Sequence, residues 1–249
     1  MKFGLIGYPI AHSLSPKLFK AGYDGKFPYE LIETPDFEEA YQRFLDGYDG
    51  INVTAPFKEL AIRKADILSE ECEVIGATNL MVKTPEGVKA YNSDYLGVRL
   101  WLSCVAQGTA RVLIVGLGGA GKAAAAAAES LGMKTVLMNR TLYNEDIRPL
   151  SGFCKEFREA DIIIYNLPVA IPQLKELTSE DFTPGKRKIL LEANYRNPSF
   201  DSSMVDTAQK ASTLFRYVKG ETWLLAQALT GYEIFTGEKP DLSKMTAQI

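Results

Sequence analysis

At 249 residues the chain is long enough for one large domain or two modest ones, and 46% of it is apolar, enough to bury a substantial core. The formal net charge is −3, Lys and Arg are scattered with no long basic run, and no apolar stretch approaches the roughly 18 residues of a membrane span, so neither nucleic acid nor a bilayer is the expected partner. The three cysteines, Cys72, Cys104 and Cys154, lie far apart and predict reduced, inert thiols rather than a disulfide framework. With His12 as the one histidine, a histidine-built zinc site or a Ser-His-Asp triad lacks its residues and no metal is expected unless other ligand types carry one, and acid–base chemistry falls to Lys, Asp, Glu or Tyr. The opening MKFGLIGYPI is too short and too glycine-bearing for a signal peptide, which predicts a cytoplasmic enzyme.

In chain order, KFGLIGY reads as a strand, Ser15-Pro16 as a helix start, PYELIE as a second strand, Phe37 to Leu45 as an amphipathic helix and GINVT as a third strand. That βαβαβ rhythm predicts an α/β domain with a mostly parallel sheet covered by helices. Leu80 to Lys83 and Val88 to Tyr91 flank TPEG and form a predicted hairpin. A helix follows from Asp94 or Tyr95 to about Val105, with Ser93 as the candidate cap, and links two halves of the chain. The second half adds strands at Val112 to Val115, Thr135 to Asn139, Ile162 to Tyr165 and Ile189 to Leu191. Near the end, Leu224, Leu225, Ala228, Leu229, Tyr232 and Phe235 form a helical stripe that stops at Thr236-Gly237 and is expected to pack back on the first domain. The expected division is 1–103, completed by 222–249, for a first domain and 104–221 for a second.

The most informative segment is RVLIVGLGGAGKAAAAAAESLGMKTVLMNRT, residues 111–141. Here Gly116, Gly118 and Gly121 have the spacing GxGxxG between a β-branched strand and an alanine-rich helix. The first glycine makes the turn, the second admits a pyrophosphate, and the third brings helix against strand, leaving the helix N-terminus aimed at phosphates. A glycine-rich turn alone can merely pack a helix on a sheet. In this chain the next strand also arrives within about 30 residues, as a dinucleotide-binding βαβ unit requires. It ends in Asn139-Arg140-Thr141, where an NAD site wants a carboxylate; a guanidinium and two hydrogen-bonding side chains suit a 2′-phosphate instead, so the cofactor read from these residues is NADP(H).

Three further segments carry polar residues placed for chemistry. Ser13 and Ser15 precede or start a helix, where two hydroxyls and free N–H groups either hold an anion such as a carboxylate or simply cap the helix. Asn52, Thr54 and Lys58 follow an apolar strand whose end faces a ligand crevice in a parallel sheet, although a lysine there is also an ordinary solvated residue. GATNL and YNSDYLG bring Asn79 and Asp94, and a carboxylate beside Lys58 makes an acid–base pair suited to interconverting a carbonyl and a hydroxyl.

Taken together, GYPIAHSLSP, GINVTAPFK, GATN, NSDYLG, GLGGAGKA, NRT and KGETWLLAQALTGYEIFTG resemble the shikimate dehydrogenase family along essentially the whole chain and in family order. The resemblance implies a substrate domain and a Rossmann NADP-binding domain that together reduce 3-dehydroshikimate to shikimate with NADPH in aromatic amino-acid biosynthesis, as a monomer or homodimer. It places the substrate carboxylate on Ser13 and Ser15 with Tyr195, the ring hydroxyls on Thr54, Asn79 and Gln227, and the catalytic pair at Lys58 and Asp94, which also touches substrate. It places the cofactor on Gly116, Gly118, Gly119, Ala120 and Gly121, with Asn139, Arg140 and Thr141 around the 2′-phosphate and Gly220 near the nicotinamide. The alternatives are a quinate or dual-specificity quinate/shikimate dehydrogenase, and a nucleotide-binding regulatory protein with little turnover.

The chain departs from the family pattern at several positions. Phe19-Lys20 stand where His-Asn is usual, Leu167 and Ala170 replace a Thr and a Gly after the fourth cofactor strand, Glu192 replaces an Asp three residues before Tyr195, and Trp223 replaces a Met.

Overall fold

The computed structural model describes residues 1–106, 109–182 and 184–249, which form two units, 1–97 with 225–249 and 98–224. The first unit contains β1 (Phe3–Gly7), α1 (Ser15–Gly22), β2 (Tyr29–Glu33), α2 (Phe37–Gly47), β3 (Gly50–Val53), α3 (Lys58–Ala61), β4 (Ile67–Leu68), α4 (Glu70–Ile75), β5 (Leu80–Thr84) and β6 (Gly87–Tyr91). Its sheet runs in the order β2-β1-β3-β5-β6-β4. Strand β1 pairs in parallel with β2 and β3, and β4 pairs in parallel with β6. The hairpin β5–β6 is antiparallel, and β5 lies antiparallel to β3. A tight hairpin turn can join only antiparallel neighbours, which is why this sheet is mixed while remaining mostly parallel.

Helix α5 (Ser93–Val105) runs from the first unit into the second. Its cap is Asn92, whose Oδ1 accepts the Tyr95 N–H at 3.1 Å. Ser93, the residue expected to cap it, is instead turned inward, where its Oγ meets Asn79 and Gln227. The Asn92 side chain has the right reach because it stands just outside the first turn, whereas Ser93 already lies within it.

The second unit holds β7 (Arg111–Val115), α6 (Gly119–Ser130), β8 (Lys134–Asn139), β9 (Ile147–Pro149), α7 (Phe153–Glu159), β10 (Ile162–Tyr165), β11 (Lys188–Glu192), α8 (Ser202–Ala211) and β12 (Phe215–Val218). The strand order is β12-β11-β10-β7-β8-β9, with every neighbouring pair parallel. This is the doubly wound Rossmann order, and its direction of winding reverses between β7 and β10, the place where such sheets open a ligand crevice. Strand β11 starts with Lys188, which is buried; its Nζ donates to the carbonyls of Phe157 (2.6 Å), Arg158 (3.2 Å) and Ala160 (2.5 Å) at the end of α7. The ammonium thus satisfies helix-end carbonyls that have no partner within the helix, while burial lowers its pKa to about 8.

The chain returns to the first unit through α9 (Gly220–Thr236) and closes with α10 (Leu242–Thr246). Within that unit the last turns of α9 meet an aromatic cluster. Phe235 stacks on Phe3 at 4.9 Å, and Tyr232 meets Phe19 edge-on at 4.8 Å. Phe19 also lies 4.7 Å from Tyr29 and 5.4 Å from Phe3 and is fully buried. The departure Phe19 therefore occupies the centre of an apolar aromatic cluster, an environment that suits a phenyl ring. Lys20 beside it is exposed. Phe19→Ala is expected to lower the unfolding free energy by about 3–5 kcal/mol, the usual cost of emptying a buried aromatic site, read from the midpoint shift in urea.

Candidate active site

The first unit gathers its polar residues at the ends of β3 and β6 and the starts of α3 and α5. Lys58 opens α3 and Asp94 lies in the first turn of α5, where the helix dipole favours a carboxylate. Lys58 Nζ and Asp94 Oδ2 are 2.5 Å apart, with the side chains 22% and 9% exposed. The lysine therefore reaches solvent more than its partner does. The Lys58 carbonyl accepts the Thr78 N–H at 3.2 Å, tying α3 to the segment that precedes Asn79.

Asn79 is buried and serves as a junction. Its Oδ1 accepts the Ser93 N–H at 2.6 Å and lies 3.2 Å from Ser93 Oγ; its carbonyl accepts the Val53 N–H at 2.8 Å and Asn52 Nδ2 at 3.3 Å. Ser93 Oγ also lies 3.0 Å from Gln227 Oε1. At the other end the Tyr29 hydroxyl donates to Asn52 Oδ1 at 2.7 Å. The Gln227 position depends on Gly97, because a Cβ there would come within 2.5 Å of the Gln227 nitrogen. Tyr29, Asn52 and Ser93 thus belong to this network. Asn52 was legible as a polar strand-end residue, whereas the pairing of Tyr29 and Ser93 with it depends on the sheet register.

Thr54 follows β3 and donates its N–H to Ile6 at 2.9 Å, beside the end of β1. Ser13 Oγ accepts the Ser15 N–H at 3.2 Å, so Ser13 braces the helix entry, but α1 has no side-chain cap of its own and Ser15 does not cap it. Burial raises the Tyr29 hydroxyl pKa well above its ordinary value, the nearby Tyr232 adds to the rise, and hydrogen bonding with Ser15 opposes it. Ser13, Ser15, Thr54, Lys58, Asn79, Asp94 and Gln227 all lie in the first unit, while Tyr195 and all the expected cofactor residues lie in the second.

In the second unit the glycine turn has a distinct geometry at each position. Gly116 has φ +89°, a conformation that side chains disfavour. A Cβ on Gly121 would lie 1.8 Å from the Gly116 carbonyl oxygen, so only glycine lets α6 sit this close to β7. Gly118 differs, because its φ is −70° and a Cβ there would meet nothing within 4 Å. Nothing in the protein demands a glycine at 118; the open space fits a pyrophosphate approaching the uncapped N-terminus of α6. At the end of β10, across the switch point, the buried Asn166 Oδ1 has no partner among the described residues. These groups fit a dinucleotide. Leu167, the departure beside it, faces Gly116, with its Cδ2 2.8 Å from where a Cβ would stand.

At the end of β8, Asn139 is buried and its side chain is engaged with backbone: Oδ1 accepts the Leu117 N–H at 3.3 Å and Nδ2 donates to the Thr141 carbonyl at 3.0 Å. It braces the glycine turn against the next loop, and Arg140 and Thr141 are left exposed. Tyr195 is half-buried after β11, with its pKa raised by burial and then by the charge of Glu221. Gly220 presses on that same segment, since a Cβ would fall 2.7 Å from both the Ala193 oxygen and the Tyr195 nitrogen. Trp223 is buried. Among the described residues no group of His, Cys, Asp and Glu has a metal-holding arrangement, and no helix is long and apolar enough to cross a membrane.

A Rossmann-ordered unit with a dinucleotide turn, and an α/β unit with a lysine–carboxylate pair, define a dinucleotide-binding class of protein. Residues 5–81 match the shikimate dehydrogenase substrate binding domain. The NADP(+) shikimate dehydrogenase of Helicobacter pylori is 30% identical over 256 residues, covering 95% of this chain and 93% of that protein. The shikimate dehydrogenase of Thermotoga petrophila is 36% identical over 148 residues, a match spanning 57% of this chain and 56% of that protein's length. A crystal structure of the Thermus thermophilus shikimate 5-dehydrogenase in complex with NADP(H) and shikimate superposes with a TM-score of 0.83 at 25% identity, covering 100% of this chain and 98% of that one. The chain belongs to the shikimate dehydrogenase family.

The glycine geometry gives a direct test. Gly118→Ala is expected to leave thermal unfolding close to that of the unsubstituted protein while weakening NADPH binding, whereas Gly121→Ala, which would force a Cβ onto a carbonyl oxygen, is expected to lower the unfolding midpoint. Differential scanning calorimetry with and without NADPH separates the two.

Proposed function

We infer that this chain catalyses the NADPH-dependent reduction of 3-dehydroshikimate to shikimate, in the cytoplasm, as a monomer or homodimer. The observation that carries the reading is the Lys58–Asp94 pair at 2.5 Å, set among polar strand-end and helix-start residues of the first unit. When bound, NADPH supplies the hydride that reduces the ketone carbon. Lys58 Nζ donates the proton that ends on the new hydroxyl oxygen, and Asp94 keeps the lysine aimed. The proton that leaves Lys58 is replaced from solvent, which its side chain reaches. The 22% exposure of the lysine side chain supplies the route.

Around this pair, Ser13 and Ser15, with Tyr195, hold the substrate carboxylate. Thr54, Asn79 and Gln227 face the ring hydroxyls; the Oδ1 of Asn79 is already engaged by Ser93, so its amide NH₂ is the group it offers. Gly116, Gly118, Gly119, Ala120 and Gly121 cradle the cofactor phosphates, Arg140 and Thr141 meet the 2′-phosphate, Asn139 shapes the loop that presents them, and Gly220 lies near the nicotinamide. Orientation and charge stabilisation together can contribute on the order of 10 kcal/mol without a covalent intermediate. The quinate reading, same chemistry with an extra ring hydroxyl and often NAD, is disfavoured by Arg140. A regulatory role with little turnover is disfavoured by the intact Lys58, Asp94, Ser13 and Ser15.

Lys58→Ala is expected to lower kcat by about 10²–10⁴, the usual worth of a general acid–base group, with KM comparatively intact. Asp94→Asn is expected to be damaging in the same assay. A loss confined to KM for Lys58→Ala, or activity within a few-fold for Asp94→Asn, would overturn the pair mechanism. Arg140→Ala is expected to weaken NADPH far more than NADH, by the roughly 1.5–3 kcal/mol of a charge-assisted contact; calorimetric titration with both cofactors reads it, and equal losses would make Arg140 structural.

A further inference from the structure

We propose that Glu192 is a positioning residue for substrate binding, acting by setting the loop 193–200 that carries Tyr195; this rests on the reading that Tyr195 contacts the substrate carboxylate. Glu192 ends β11 and is fully buried. Its Oε1 accepts the Ser199 N–H, and its Oε2 accepts the Phe200 N–H at 3.3 Å and the Tyr217 hydroxyl at 2.7 Å. One carboxylate therefore fastens the far end of the loop both to the strand where the loop begins and to the neighbouring β12. Burial, followed by the hydrogen bond to Glu192, raises the Tyr217 hydroxyl pKa, so the phenol stays protonated and remains a donor to the carboxylate.

The near end of the loop is held differently, by the backbone of Gly220 against Ala193 and Tyr195. Between the two anchors Asn194 organises the turn: its Oδ1 accepts the N–H groups of Arg196 and Asn197, each at 3.2 Å, and its Nδ2 donates to the Asn197 carbonyl at 2.9 Å and the Pro168 carbonyl at 3.2 Å. The turn borders open space. A half-open cavity of about 320 Å³ lies there, lined by Tyr195, Pro198, Phe200, Tyr217 and Lys219 among others. The far end is held by the buried ring of Phe200, which meets Tyr165 edge-on at 5.3 Å, and by hydrogen bonds that converge on Glu192. An aspartate, one methylene shorter, would reach fewer of the three donors from the same backbone position, so the glutamate found here matches this loop.

Steady-state kinetics on the full chain tests the proposal, with 3-dehydroshikimate and NADPH. Glu192→Gln keeps the side-chain size but turns one acceptor oxygen into a donor facing another donor. It is expected to raise KM for 3-dehydroshikimate about tenfold, with kcat within about threefold and KM for NADPH unchanged. Glu192→Asp is expected to recover part of that loss. Tyr195→Phe should itself raise KM, and adding Glu192→Gln to it should raise KM by less than about twofold more, because a residue that acts through Tyr195 has little left to act on. A Tyr195→Phe variant with unaltered KM overturns the Tyr195 reading. A raised KM in Tyr195→Phe with none in Glu192→Gln, or losses that simply multiply, overturns the Glu192 proposal. If Glu192→Gln does not fold, Tyr217→Phe, which removes a single bond, takes its place in the cycle: a raised KM that Tyr195→Phe masks supports the proposal, and an unaltered KM or multiplying losses overturn it.

Discussion

The first unit turns on one buried amide. Asn79 receives Ser93 from the start of α5, Val53 and Asn52 from β3, and gives its own N–H to the Tyr91 carbonyl at the end of β6. Each of these groups is a polar atom removed from water, and each would cost about 1–3 kcal/mol if left unmatched. The junction therefore has few ways to be rearranged without leaving something unsatisfied. Because Asp94 is the residue after Ser93, fixing Ser93 on Asn79 also fixes where Asp94 points.

That constraint explains what the Lys58–Asp94 pair is for. An ion pair with one side chain 22% exposed contributes little net stability, since the desolvation of the carboxylate offsets most of the attraction. The value of the pair lies in preorganisation: the ammonium is held at a chosen place before any reaction, so no solvent or side-chain rearrangement is needed when negative charge develops nearby. The aromatic cluster around Phe19 supports the same arrangement from below. Tyr29, packed on Phe19, carries the hydroxyl that holds Asn52, and Asn52 in turn reaches Asn79. An apolar substitution relative to the family pattern thus sits under the polar network without entering it.

Features written in local periodicity or in a short motif were legible. The glycine turn, the alanine-rich helix after it, the hairpin around TPEG and the stripe of α9 all announced themselves within a window of a few residues. Strands β4 and β9, of two and three residues, are too short to carry a period of two. Their place at the sheet edges comes from pairing with distant segments. The same limit hid side-chain assignments. Ser93 has the chemistry of a cap, and only the approach of Asn79, just before β5, shows that its hydroxyl is drawn elsewhere. Asn139 has the chemistry of a phosphate ligand, yet its amide is spent on Leu117 and Thr141. Phe19 reads as a departure until the rings that surround it are placed.

The glycines show how a structure can separate folding demands from ligand demands. A motif such as GxGxxG invites one explanation for all three positions, but the geometry assigns each a different cause. Gly116 answers to its own backbone, with φ +89°. Gly121 answers to its neighbour, because the Gly116 carbonyl occupies the place a Cβ would take, and Gly220 likewise answers to the loop that carries Tyr195. Gly118 answers to neither: its backbone suits any residue and the space beside it is open. A requirement that the folded chain does not impose must come from something that enters that space, and the uncapped helix start beside it favours an anion. The open position is therefore more informative about the cofactor than the crowded ones.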